Sequence, residues 1–158
     1  MKVSEIMTKR PVCCCASSST VSAALLMQES DAGFLPVIQD PFTPILVGVV
    51  TDRDLCLYVV ASGRDPSSSW VDGCMKRDPI CCTEQDDISC ALGLMKTHQI
   101  RRLPVVNEKH EVTGVLSIGD VVARQTGVEA SVIAEVLRSI CEPAHETQQR
   151  IDMIITAA

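Results

Sequence analysis

The 158-residue chain has 46 % hydrophobic residues, 22 % charged residues and a formal net charge of -6 at pH 7. That apolar content supplies a core for one domain, or for two small domains that depend on each other. The acidic balance excludes a general nucleic-acid surface, which needs concentrated Lys and Arg, and no run approaches the ~18 apolar residues of a membrane span.

The first residues, MKVSEIMTKRP, open with mixed charge and lack the apolar stretch of a signal peptide, so a cytosolic location is expected. Apolar spacing then predicts a helix over 20–29, strands over 34–38 and 45–50, and a helix over 52–62. The turn between the strands, DPFTP, is stiffened by two prolines. SGRDPSSS at 62–69 reads as a linker, dividing a first unit (1–62) from a second (70–127) across residues 63–69. In the second unit Asp86 or Asp87 caps a helix carrying Ile88, Ala91, Leu92 and Met95 at helical spacing. A strand over 103–106, a turn over 107–110, a strand over 112–116 and a helix from 118 to about 127 follow. The remainder, 128–158, begins with an amphipathic helix over 129–140, apolar at Val132, Ile133, Val136, Leu137 and Ile140. Residues 145–158 read as a further helix or a frayed tail.

The two units repeat each other. At an offset of 68, Val3 falls on Val71, Met7 on Met75, Pro11 on Pro79, Ala23 on Ala91, Leu26 on Leu94, and Leu35-Pro36-Val37 on Leu103-Pro104-Val105. Two extra residues in the DPFTP segment change the offset to 66, and Gly48, Val49 and Asp54 then fall on Gly114, Val115 and Asp120. Tandem copies of this size pack on one another through equivalent surfaces, giving a pseudo-two-fold unit.

Within the repeat, GVVTDRDL (48–55) and GVLSIGDV (114–121) place a hydroxyl at a strand tip and an Asp in the first turn of the next helix. Thr51 with Asp54, and Ser117 with Asp120, form the pairs. Taken singly, each hydroxyl is a helix N-cap. Taken twice in register, the pairs suit a polyol phosphate: the carboxylate accepts from adjacent hydroxyls, while helix-start amides and the hydroxyl meet phosphate oxygens.

Nine cysteines stand in a chain with its own core, so they read as reduced, small apolar packing residues, with redox sensitivity or metal binding as the alternatives. Cys13, Cys14 and Cys15 are consecutive and Cys81 and Cys82 adjacent, so no CxxC pair arises. His98, His110 and His145 join no nucleophile or metal ligand by spacing, and no HExxH, GxSxG or Walker-type loop occurs. A non-catalytic protein that requires no cofactor is expected.

The tandem repeat, the IMTKRP and CMKRDP openings, the RRLPVV strand and the two hydroxyl-x-x-Asp junctions together resemble a pair of CBS domains, named after cystathionine beta-synthase, forming a stand-alone Bateman module. The resemblance covers about residues 2–122. It implies an α/β fold of two β-α-β-β-α repeats packed through their sheets, with two clefts between them that bind adenosine-containing ligands. It also implies that Asp54 sits on the ribose hydroxyls and Thr51 near the phosphates of one cleft. Val49 and Ile80 would flank the base there, and Arg101 and Arg102 would meet phosphate; otherwise the two arginines are a solvated pair. The second cleft would use Ser117 and Asp120, with Val115 and Val12 beside the base and Arg53 or Arg101 available for phosphate. Where the second repeat has Arg101 and Arg102 the first has Gly33 and Phe34, so the Ser117 cleft is expected to face these two and to bind more weakly.

Two functions follow from the resemblance. One is a regulatory sensor of AMP, ADP or ATP acting on a separate effector protein in trans, with S-adenosylmethionine or NAD as alternative ligands. The other is an oligomerisation and interaction platform whose clefts are vestigial. The resemblance also implies a homodimer, a flat disc of four repeats; from charge and apolar run length, no membrane or nucleic-acid partner is expected. The helix over 129–140 would be available to clasp the second chain.

Overall fold

The computed structural model describes residues 1–124 and 127–142. The first repeat runs α1 (Val3–Ile6), β1 (Thr8–Lys9), β2 (Cys14–Cys15), α2 (Thr20–Glu29), β3 (Phe34–Ile38), β4 (Leu46–Thr51) and α3 (Asp52–Val59). After 3-10 turns at Pro66–Ser68 and Val71–Gly73, the second runs β5 (Lys76–Arg77), β6 (Cys82–Thr83), α4 (Ile88–His98), β7 (Arg102–Val106), β8 (Val112–Ser117) and α5 (Ile118–Ala123). A last helix, α6, spans Ala130–Cys141. The expected β-α-β-β-α order is present twice.

The strands form two four-stranded sheets, ordered β1-β8-β7-β6 and β2-β3-β4-β5. Each repeat therefore lends its leading strand to the other. Thr8 and Lys9 pair antiparallel with Val115 and Gly114, and Lys76 and Arg77 with Val49 and Gly48. The cores are exchanged in the same way. Val3, Ile6 and Met7 are buried among Ile88, Leu92, Met95 and Leu103, whereas Val71 and Met75 are buried among Ala23, Leu35 and Val50. Isolated bridges Lys2↔Asp87 and Ser19↔Trp70 repeat this exchange, and Ile45↔Glu111 joins the two hairpins. Neither repeat closes its core alone.

The glycine that opens each 48–55-type stretch has its reason here. A Cβ on Gly48 would stand 2.8 Å from the Lys76 carbonyl oxygen, and one on Gly114 3.1 Å from that of Thr8. Only a residue without a side chain lets the borrowed strand lie that close.

Several boundaries differ from the expected ones. α3 stops at Val59, and the chain turns through Gly63 at φ 62°, a left-handed position that a helix cannot continue through. α5 ends at Ala123, short of residue 127, and residues 125–126 and 143–158, which include the expected helix or tail at 145–158, lie outside the described residues. The SGRDPSSS segment is docked. Thr20 Oγ1 donates to the Pro66 carbonyl at 2.8 Å, Thr20 N to that of Ser69 at 2.9 Å, and the Arg64 guanidinium lies 4.5 Å from the Tyr58 ring centroid. Asp87 takes the N-cap position of α4 without a side-chain hydrogen bond, while Asp86 accepts from Thr83 N at 2.7 Å.

α6 packs on α4 of its own chain. Val136 is buried, Ile133 and Ile140 pack beside it, and Val132 and Leu137 face outward, so the inward stripe is narrower than the apolar pattern suggests. No helix among the described residues is long and apolar enough to cross a membrane.

Candidate ligand-binding cleft

Both strand-to-helix junctions close as reciprocal capping boxes. Thr51 Oγ1 accepts from Asp54 N at 3.2 Å, and Asp54 Oδ2 accepts from Thr51 N at 3.0 Å and Thr51 Oγ1 at 2.6 Å. In the second repeat the same contacts measure 3.1, 2.8 and 2.6 Å between Ser117 and Asp120. A short polar side chain at the cap and a carboxylate three residues on satisfy helix-start amides that α3 and α5 would otherwise leave unpaired. The two elbows thus differ in what surrounds them, not in their own geometry.

A cavity of about 490 Å³ opens beside the first elbow. Thr51, Val49, Ile80, Arg53, Arg101 and Arg102 all line it, so the structure gathers six of the sequence-predicted site residues at one place. They arrive from four directions: the end of β4, the start of α3, the segment after β5, and the segment between α4 and β7. The exchange of leading strands is what delivers Ile80 to Val49, because β5 carries the second repeat's chain across the first repeat's sheet. Ile80 is 36 % exposed, leaving an apolar side chain available opposite Val49.

Asp54 is not on the cavity wall. It stands behind Thr51 with Oδ2 committed to the capping box and Oδ1 3.6 Å from Lys76 Nζ, its side chain 14 % exposed. Asp52, which lines the cavity, holds Arg53 N at 2.7 Å on Oδ1. Lys76 and Arg77 also face the cavity, the latter drawn to Asp72 at 2.6 Å. Arg53, Arg101 and Arg102 form no ion pair with any described carboxylate. Five cationic side chains, against the carboxylates of Asp52 and Asp78, therefore surround this cavity in a chain of net charge -6.

Gly33 and Phe34 also line the cavity beside Thr51, so they are not a feature of the Ser117 side alone. The reason is register: Phe34 pairs with Thr51 across the β3–β4 hairpin, as Arg102 pairs with Ser117 across β7–β8. Gly33 leaves room there for the Asp52 carboxylate, whose Oδ2 would stand 2.5 Å from a Cβ at this position. Arg101, expected at both clefts, and Arg53, expected at the second, line this cavity. The cavity does not include Ser117, Asp120, Val115 or Val12. Val115 is half-buried on β8 and Val12 is exposed, the positions Val49 and Ile80 take in the other repeat. Lys76, Gln99 and Ile100 were missed by the sequence reading; the pairing of β5 with β4 was the only route to the first, and the left-handed end of α4 at Gln99 (φ 52°) to the others.

The cysteines surround the cores. Burial pushes the Cys14 and Cys82 thiols up to about 12 and that of Cys13 up to about 11. Cys74 and Cys81 are raised by burial and by nearby Asp54 and Asp86 respectively. No group of three His, Cys, Asp or Glu side chains among the described residues could hold a metal ion.

Comparison with known proteins agrees with this architecture. The family model described as CBS domain matches residues 3–61 and 71–127. Hypoxic response protein 1 of Mycobacterium tuberculosis is 33 % identical over 140 residues, covering 88 % of this chain and 93 % of that one. The crystal structure of Hypoxic Response Protein I, described with two coordinated zinc ions, superposes with a TM-score of 0.71 at 28 % identity, covering 78 % of this chain and 98 % of that one. The CBS-pair protein CBSX2, from Arabidopsis thaliana, superposes in its complex with AMP with a TM-score of 0.65 at 31 % identity, covering 77 % and 93 %. With two matched repeats, interlocked sheets and a cleft at their junction, the chain belongs to the CBS domain family as a tandem CBS pair.

Proposed function

We propose that the chain is a regulatory module that takes an adenine nucleotide, AMP, ADP or ATP, in the cleft at Thr51 and acts on an effector protein in trans. The observation that carries this reading is the set of three guanidiniums, Arg53, Arg101 and Arg102, free of described carboxylates around one partly apolar cavity. Guanidinium forks match phosphate oxygens in pairs, and Val49 and Ile80 offer a slot for a planar base. The AMP complex of CBSX2 supports the same ligand class. A cationic ligand such as S-adenosylmethionine suits this charge less well than a phosphate does.

The chain's own residues do the positioning. Asp54 Oδ1 meets the ribose hydroxyls by exchanging its contact with Lys76, whose side chain is 69 % exposed and whose ion pair is therefore worth little. Ser117, Asp120, Val115 and Val12 form the second, weaker cleft. Binding regulates only if the ligand prefers one arrangement of the repeats or of paired chains over another. Two copies of the chain pair, in the cytosol, and no chemistry is carried out in the cleft.

A thermal-shift screen of AMP, ADP, ATP, NAD and S-adenosylmethionine tests the reading. A nucleotide at a hundred times its Kd adds ~2.7 kcal/mol to the native state and raises Tm by several degrees. Arg101→Ala with Arg102→Ala abolishes the shift. No shift with any of the five compounds overturns the sensor and leaves the interaction platform.

A further inference from the structure

α6 (Ala130–Cys141) lies beyond the second matched repeat, which ends at residue 127. It belongs to that repeat's helical face alone. On α4, Leu92 is buried and Lys96 Nζ pairs with Glu135 Oε1 at 2.6 Å; at the offset of 68 these residues correspond to Ala24 and Gln28 of α2, both exposed. The C-terminal end of α6 reaches the wall of the Thr51 cavity. Gln99 Nε2 carries two hydrogens, and both are spent there, on the carbonyls of Ser139 at 2.8 Å and Glu142 at 3.1 Å. The Gln99 side chain also lines the cavity, two residues before Arg101. With both donors committed to α6, Oε1 is the one polar atom this side chain has left for a ligand. An amide oxygen repels a phosphate, whereas the amide nitrogen would donate to it. Half a turn of the amide exchanges the two.

We infer that the phosphate of a bound nucleotide and the last turn of α6 compete for the Gln99 amide, so that filling the cleft frees residues 139–142. Charge acts in the same direction. The carbonyl end of a helix is stabilised by cations near it, and a phosphate held by Arg101 and Arg102 neutralises the two that follow Gln99 in the chain. The body of α6 stays docked, because Val136 is buried and Glu135 is paired a turn upstream. The competition rests on the nucleotide reading of the cleft and gives it an output outside the two repeats. Coupling of this kind is reciprocal: whatever loosens α6 tightens the nucleotide by the same factor.

Hydrogen exchange and calorimetry on the full chain test both directions. Saturating AMP speeds exchange at 139–142 by about threefold, while adenosine, which lacks the phosphate, leaves it unchanged. Val136→Ala and the exposed Glu135→Gln each loosen α6 away from the cavity, and each tightens AMP by about twofold or more. Val132→Ala, on the outward face, does not. In Gln99→Ala the turn no longer responds to AMP, and Glu135→Gln added to it no longer changes AMP affinity. Bound AMP with exchange at 139–142 unchanged or slowed overturns the competition and leaves the nucleotide reading standing. An equal response to adenosine overturns it as well, since the phosphate is then not the competitor. No heat with AMP, ADP or ATP on the wild-type chain removes the nucleotide reading, and the competition with it.

Discussion

Asp54 and Asp120 occupy nearly identical capping boxes, yet only the first stands behind a cavity lined with arginines. Their alanine variants therefore separate structure from ligand contact. Asp54→Ala and Asp120→Ala each remove the carboxylate of a box, and each lowers stability by ~1 kcal/mol in denaturant unfolding, the usual worth of a helix cap. Asp54→Ala in addition weakens nucleotide binding by about tenfold or more, because a hydrogen bond to a charged group is worth ~1.5–3 kcal/mol. Asp120→Ala leaves the affinity of the Thr51 cleft unchanged in calorimetry. Equal affinity in wild type and Asp54→Ala removes Asp54 from the site and leaves it a cap.

At the scale of elements, α6 is tied to the cleft wall through one residue. Gln99 ends α4 in the left-handed conformation, and its Nε2 donates to the carbonyls of Ser139 at 2.8 Å and Glu142 at 3.1 Å, satisfying acceptors at the end of α6. The same residue lines the cavity, one step before Ile100 and Arg101. Gln99→Ala removes both hydrogen bonds and keeps the backbone, so hydrogen exchange at the C-terminal turn of α6 speeds up by about fivefold or more while exchange in α2 is unchanged. Equal exchange in α6 shows that the Lys96–Glu135 pair and Val136 hold the helix without Gln99. That pair keeps the Glu135 carboxyl below its ordinary range, through the hydrogen bond and charge of Lys96.

Taken as one body, the molecule is held by two cores that each contain residues from both repeats, so it unfolds as a unit. Buried thiols in these cores make it sensitive to alkali. Cys14 and Cys82 are held near 12 in the fold against an ordinary value of about 9. Above pH 9 the unfolded chain releases thiol protons that the native state still holds, so the native state binds more protons and stability falls as pH rises toward 12. Below pH 9 this contribution is fully present. Tm is expected to drop between about pH 9 and pH 11, and Cys14→Ala with Cys82→Ala to flatten the drop relative to wild type. Parallel Tm profiles for the two proteins would show that the thiols titrate normally.

Sequence alone determined the repeat, the order of elements and the two hydroxyl-x-x-Asp elbows, because periodicity, caps and glycines are local signals that each repeat states for itself. Six of the residues expected at the clefts, Thr51 from the elbow itself and the others through the family resemblance, line one cavity. What the sequence left open was set by contacts between segments far apart in the chain. The exchange of β1 and β5 depends on which sheet edge each short strand finds, and two residues such as Lys76 and Arg77 carry no periodic pattern that says so. Gly33 and Phe34 read as a missing arginine pair for the far cleft; the hairpin register also puts them beside Thr51. Asp54 read as a ligand contact, and only the folded elbow showed its carboxylate first engaged by Thr51 and Lys76. The covering of one helical face by α6 and the bareness of the other likewise appear only in three dimensions, since the same amphipathic helix could have served either repeat, and the packing of Val136 against α4 decides between them.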